Sequence, residues 1–193
     1  VKALKEMVDA FNEYARSPTL KLTPLDLNAL VSEVMFLYRD NPSNIEVVVD
    51  ADPDLPMVNA DSVRMRQLLH NLIKNATEAL EGRPDSELRV RTQNLEHEGN
   101  PCVEIVIEDN GPGFPSESVT DVFEPYVTTK SKGTGLGLAI VKKIVEEHGG
   151  LIRAEAAPSG GARVVINLPY GETHRTEDAA AAMEPPRATL VGD

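Results

Sequence analysis

The sequence predicts an α/β protein: a two-layer sandwich with a mixed sheet of about five strands packed on three helices. Three observations predict it. Stretches with apolar residues at spacings of three and four, the mark of a half-buried helix, alternate with short β-branched runs. Gly and Pro fall at the boundaries between them. Residues 110–134 are a single Gly-, Pro-, Ser- and Thr-rich stretch, too long for an ordinary connection and of a length commonly used as a functional lid.

Residues 1–16 carry Val1, Leu4, Val8, Phe11 and Ala15 at coiled-coil spacing, widened by Met7 and Tyr14. A lone helix cannot bury such a stripe, so the segment reads as a helix packed on its own domain or as half of a helical hairpin or dimer bundle, ended by Ser17-Pro18. Residues 22–27 read as extended. Residues 28–39 read as helix, with Leu30, Val31, Val34, Leu37 and Tyr38 on one side, and Ile45–Val49 reads as a strand. Asp61 is placed to cap a long helix over 61–80, with Gly82 just past its end. Strands are expected at 87–95 and 102–109 across a polar turn of Gly99-Asn100-Pro101, then a helix over 135–148 stopped by Gly149-Gly150. Strands at 151–157 and 162–168 complete the core. The Ala-, Pro- and Glu-rich tail over 171–193 has few large apolar residues and is expected to be disordered.

The 193 residues suit one domain with appendages. A net charge of −12 argues against non-specific binding to nucleic acid, though not against a nucleotide site built from backbone donors and a metal. A single cysteine, Cys102, rules out a disulfide within the chain. No apolar run approaches the roughly 18 residues of a membrane-spanning helix, and no signal peptide is visible. The chain opens inside a helical pattern without Met, so it reads as part of a longer protein.

Three groups of residues point to chemistry. On the helix over 61–80, Met65, Leu68, Leu69, Leu72, Ile73, Ala76, Ala79 and Leu80 make an apolar face, and Gln67, Asn71 and Asn75 run beside it at intervals of four. Asparagine disfavours helix interiors, so two of them one turn apart suggest amide oxygens aimed at a hard cation such as Mg²⁺; a solvated polar flank would look the same. Lys74 and Glu78 share that polar side. The second group, Glu108-Asp109-Asn110-Gly111-Pro112-Gly113, ends a strand with a carboxylate suited to an exocyclic amine such as that of adenine, or merely closes the strand with an Asx turn. The third, Gly133-Thr134-Gly135-Leu136-Gly137-Leu138, opens a helix whose free N–H groups attract phosphate. It lacks the Gly-Lys-Ser/Thr of a P-loop.

In this order, with a lid-sized loop between the last two, the groups resemble the ATPase fold shared by gyrase, Hsp90, histidine kinases and MutL, over roughly residues 20–169. The N box is Asn71-Leu-Ile-Lys-Asn75-Ala, followed by the G1 box from Asp109 to Gly113, the F box Phe123-Glu-Pro-Tyr126 and the G2 box from Gly133 to Leu138. Val122 to Lys130 resembles the lid of bacterial sensor histidine kinases, as does His148-Gly149-Gly150 their usual helix end. Phe11-Asn-Glu-Tyr-Ala-Arg16-Ser-Pro18 resembles the end of the second dimerisation helix in nitrogen-regulation kinases of the NtrY type.

The resemblance implies roles. Asn75 would hold Mg²⁺, with Asn71 supporting the metal or its water, and Asp109 would read the adenine of ATP. Gly111 and Gly113 would shape the adenine pocket. Gly133, Thr134, Gly135, Leu136, Gly137 and Leu138 would wrap the phosphates, and Lys130 and Lys74 would offset their charge. It also implies three regions: residues 1–18 as the end of a dimerisation and phosphotransfer hairpin, 19–170 as the catalytic domain, and 171–193 as a tail. The intact protein would be a homodimeric, inner-membrane sensor kinase with this domain in the cytoplasm. It would phosphorylate a histidine of the same or the partner protomer and relay the phosphate to a response regulator receiver domain.

Two departures stand out. His70, His97, His148 and His174 all lack the context of a phosphoacceptor, so this chain is expected to bind nucleotide without labelling itself. Gly160-Gly161-Ala162 also has Ala where a Thr often contacts the nucleotide through water. Two rival readings are a self-sufficient ATPase of the gyrase or MutL class, which generally has a Glu where Asn71 stands, and a dimerisation module with a structural nucleotide.

Overall fold

The computed structural model describes residues 8, 11, 12, 15, 19–38, 45–97, 99–115, 121–128 and 133–171. Of the expected N-terminal helix, only Val8, Phe11, Asn12 and Ala15 fall among these, and all four are helical. The Ser17-Pro18 break, Lys130 and the tail beyond Gly171 lie outside the described residues.

Five strands form the main sheet, in the order β2 (Glu46–Ala51), β4 (Glu87–His97), β5 (Asn100–Asp109), β7 (Ala162–Pro169) and β6 (Leu151–Ala156). Only β2 runs parallel to its neighbour, so the sheet is mixed as expected. Alternation sends Leu88, Val90, Val103, Ile105, Ile107, Val164, Ile166 and Leu168 into the core. The opposite face carries a lattice of ion pairs, including Arg91 to Asp50 at 3.1 Å and Arg163 to Glu155 at 3.3 Å. A polar face on one side restricts the helices to the other.

Those helices are α1 (Leu27–Phe36), α2 (Ser62–Leu80) and α3 (Gly137–Glu147). Each begins or ends for a local reason. The Asp26 side chain caps α1 by accepting from Ala29 N. Asp61 caps α2 by accepting from Val63 N and Arg64 N. Gly149, at φ +69°, lets the chain turn out of α3. On α2 the apolar side chains expected from the sequence are buried, except that Ala79 is only half-buried.

Four expectations need correction. A two-stranded ribbon pairs β1 (Thr23–Leu25) with β3 (Val58–Ala60), and the sequence reading missed β3. Three residues are too few to show a period. The β4–β5 hairpin is longer than read: Asn100 and Pro101 belong to β5, opposite His97 and Glu96. Helix α1 stops at Phe36 rather than running to 39. Helix α3 begins at Gly137, two residues later than expected, because Gly135 sits at φ +66° outside the helical region.

Candidate functional site

Helix α2 supplies one wall of the cleft. Its apolar face is committed to the core, which fixes its rotation and places Gln67, Asn71 and Asn75 on the flank toward α3. The Nδ2 of Asn71 is buried and has no hydrogen-bond partner among the described residues. Asn75 is half-buried, and its Nδ2 lies 3.7 Å from where a Cβ on Gly137 would be. The asparagine therefore lies against the first residue of α3. Leu136 stands at the N-cap of that helix and makes no side-chain cap bond. The first-turn N–H groups of an uncapped helix attract an anion, and the helix dipole adds to the attraction.

Asp109 supplies the opposite wall, at the end of β5, and is only 6 % exposed. Its Oδ1 accepts from Gly111 N at 2.9 Å and from Ala162 N at 3.3 Å. Burial pushes this carboxyl above the ordinary Asp range. The two N–H donors and Arg83 oppose that shift, and Glu108 adds to it. Both backbone bonds fall on one oxygen, which leaves Oδ2 as the acceptor for an amine. Glycine is required around it. A Cβ on Gly161 would lie 1.9 Å from the carbonyl oxygen of Asp109, and one on Gly111 would lie 2.8 Å from Oδ1 and 3.5 Å from Ala79. That last contact brings the carboxylate loop against α2 one turn beyond Asn75. Gly113, at φ +75°, packs on Gly161.

A third piece packs against the start of α3. Val122 and Phe123 are buried in the core, and Glu124 pairs with Lys142 of α3 at 3.2 Å. Tyr126 adopts φ +68°, unusual for a side chain of its size, and its N–H donates to the Gly135 carbonyl at 2.9 Å. A Cβ on Gly135 would lie 2.6 Å from the Tyr126 carbonyl carbon. Only glycine allows this approach, which ties the F box to the second glycine box. Within that box Leu136 is fully buried, Thr134 accepts from Leu136 N at 3.4 Å, and Gly133 is exposed.

The structure thus sets Asn75 against Gly137 at the start of α3, Gly135 against Tyr126, Gly113 against Gly161, and the Asp109–Gly111 loop against Ala79 of α2. Lys74 is exposed and lies 3.9 Å from Glu78, one turn along the same helix. The histidines are engaged elsewhere. His70 meets the Tyr38 hydroxyl at 2.8 Å, and His148 accepts from Asp61 N at 3.0 Å. His97 lies near the β4–β5 turn, and His174 is outside the described residues. Two site residues were underrated by sequence reasoning, Gly161 and Ala162. The Thr that Ala162 replaces is not needed to hold Asp109, because the Ala162 backbone N–H does so. The paired glycines before a strand were the available signal.

An α/β sandwich with such a helix start, a buried carboxylate and an amide-bearing helix is chemically suited to a nucleotide. The chain belongs to the histidine kinase-, DNA gyrase B- and HSP90-like ATPase family, whose model matches residues 60–172. Within the family its similarity is to sensor histidine kinases. It is 42 % identical to the nitrogen regulation protein NtrY of Azorhizobium caulinodans over 84 % of this chain and 21 % of that protein. Full-length ShkA in complex with AMPPNP matches with a TM-score of 0.72 and 27 % identity, over 86 % of this chain and 36 % of that one. Histidine kinase ThkA in complex with the response regulator TrrA matches with a TM-score of 0.72 and 29 % identity, over 90 % and 49 %. The chain thus spans from about a fifth to about half the length of these matches. It is an ATP-binding catalytic domain of the sensor histidine kinase type.

Proposed function

We propose that residues 19–170 bind ATP with Mg²⁺ between α2 and α3, and that in the longer protein this domain transfers the γ-phosphoryl group to a histidine. The observation that carries the reading is the approach of Asn75 to Gly137 at the uncapped start of α3. An amide beside free backbone N–H groups suits a metal–triphosphate. Amide oxygens are hard donors, which Mg²⁺ accepts while keeping several waters, and the Asn71 Nδ2, an N–H donor without a partner among the described residues, suits an acceptor such as a phosphate oxygen or a metal-bound water. When bound, Mg²⁺ would neutralise charge on the transferring phosphoryl group.

The protein's own contribution is positioning. Asp109 holds adenine at one end through an amine-to-carboxylate bond, and Gly133 to Leu138 hold phosphates at the other through backbone N–H groups, with Lys130 and Lys74 offsetting charge. Asn71 has no lone pair basic enough to take a proton from water, so hydrolysis should be slow. The acceptor histidine would lie on a dimerisation helix of the same or the partner protomer, residues 1–18 being the end of that hairpin and 171–193 a tail.

The AMPPNP held by ShkA and the regulator bound to ThkA support ATP as ligand and a receiver domain as the next phosphate acceptor. A homodimeric inner-membrane sensor with this domain in the cytoplasm completes the reading. No described helix is long and apolar enough to cross a membrane. Calorimetry with ATP and Mg²⁺ tests the proposal: the chain should bind, and Asn75→Ala should abolish the Mg²⁺-dependent part of the affinity while leaving the melting temperature unchanged. Wild-type protein that shows no association would refute it.

A further inference from the structure

Helices α2 and α3 share the apolar core, and two further contacts lie at its ends. At one end Asn75 lies against Gly137. At the other, the Arg64 guanidinium donates through Nη2 to Glu147 Oε2 at 2.7 Å and through Nη1 to Gln67 Oε1 at 3.0 Å. Asp61 N donates to His148 Nε2 beside this pair, and His148 Nδ1 meets the Ile144 carbonyl at 2.7 Å. Eleven residues separate Arg64 from Asn75 on α2, about 16 Å at the helical rise, and ten separate Gly137 from Glu147 on α3, about 15 Å. The two spans match, so the helices are antiparallel rods pinned at both ends. The far pin fixes how α3 sits along α2, and therefore how the phosphate-binding N–H groups stand relative to Asn71 and Asn75.

This pin is a poor device for stability alone. Arg64 is 7 % exposed, and its Nε is buried without a partner among the described residues, as is the Nε2 of Gln67. Removing a guanidinium and a carboxylate from water is costly, and well-packed apolar residues in their place are often at least as stable. What the pair adds is direction. The two-pronged guanidinium accepts one geometry for Glu147, and because it can only donate, it turns the Gln67 oxygen toward itself. The Gln67 N–H group then points away from Arg64.

We propose that Arg64 and Glu147, with Gln67 oriented by Arg64, are positioning residues for the metal–triphosphate: they set the registry of α3 on α2 from the far end of both helices. This rests on the nucleotide site proposed above. A slip of one residue would displace the start of α3 by about 1.5 Å, enough to lose about a hundredfold in a step that depends on alignment.

The test uses the whole 193-residue chain, with calorimetry against Mg²⁺–ATP and melting without nucleotide. The apolar pair Arg64→Met with Glu147→Leu should melt no lower than wild type yet bind at least about tenfold more weakly. The exchanged pair Arg64→Glu with Glu147→Arg should recover part of the affinity. Binding by the apolar pair equal to wild type overturns the proposal, and so does a loss that merely follows a lowered melting temperature. If the apolar pair does not fold, Glu147→Gln decides by the same criteria: weaker binding at unchanged melting supports the proposal, and unchanged binding overturns it. If wild type itself binds nothing, the nucleotide site falls and takes this proposal with it.

Discussion

At the scale of single residues, Asp109 illustrates how a buried carboxyl is held at a cost. Its burial favours the protonated form, and two backbone N–H groups only partly offset that. Asn has the same shape and can accept both N–H bonds without carrying charge. Asp109→Asn should therefore melt at or above the wild-type temperature at neutral pH, while adenine nucleotide affinity falls at least about tenfold, a gap that melting curves and calorimetry together would expose. The pH dependence follows from the raised value. An amine donor needs the carboxylate, so affinity should be full above the Asp109 pKa and fade as pH falls through it, beginning above the range in which an ordinary Asp titrates. Stability from this residue runs the opposite way: it is present at low pH and lost as pH rises through that same folded value. Affinity that stays flat across the acid range would remove Asp109 from the adenine contact.

At the scale of elements, the long helix α2 depends on the residue that caps it. Asp61 accepts from Lys21 N, Val63 N and Arg64 N, which hold its carboxyl below the ordinary range, led by the Lys21 bond. A depressed carboxyl stabilises the fold above the unfolded value, and that contribution is lost as pH falls through the folded value. Asp61→Ala should cost about 1 kcal/mol in urea unfolding at neutral pH. Asp61→Asn, which keeps a capping oxygen, should cost less and should remove part of the acid sensitivity. Equal stability of Asp61→Ala and wild type would mean that packing alone starts this helix. The elements also show the reach of sequence reasoning. Helix α2 was legible because its apolar face repeats over 19 residues and its cap is an Asp. Strand β3 was not, because Val58–Ala60 exists only through pairing with a segment 35 residues earlier.

At the scale of the whole molecule, two of the three described histidines are engaged in hydrogen bonds away from the start of α3. His70 and His148 bond to Tyr38 and Asp61, and His97 lies at the far end of a hairpin. With radioactive ATP and Mg²⁺ the chain should gain no acid-labile phosphate and should turn over ATP slowly. Addition of a separate helical hairpin carrying a His-acid pair should restore labelling of that hairpin. Rapid steady-state hydrolysis by the chain alone would instead favour the self-sufficient ATPase reading.

The sequence by itself determined the α/β sandwich, the order of the boxes and the residues from which the candidate site is read. These depend on local properties: the period of apolar side chains, the preference of Asp for a helix start, and the need for glycine where backbone must approach closely. Only the tertiary structure decided that Gly161 and Ala162 cradle Asp109 from 53 residues away, that Tyr126 takes a left-handed turn against Gly135, and that Arg64 reaches Glu147 across two helices. No local pattern carries these contacts, because each arises from segments far apart in the chain that meet only once the core has packed.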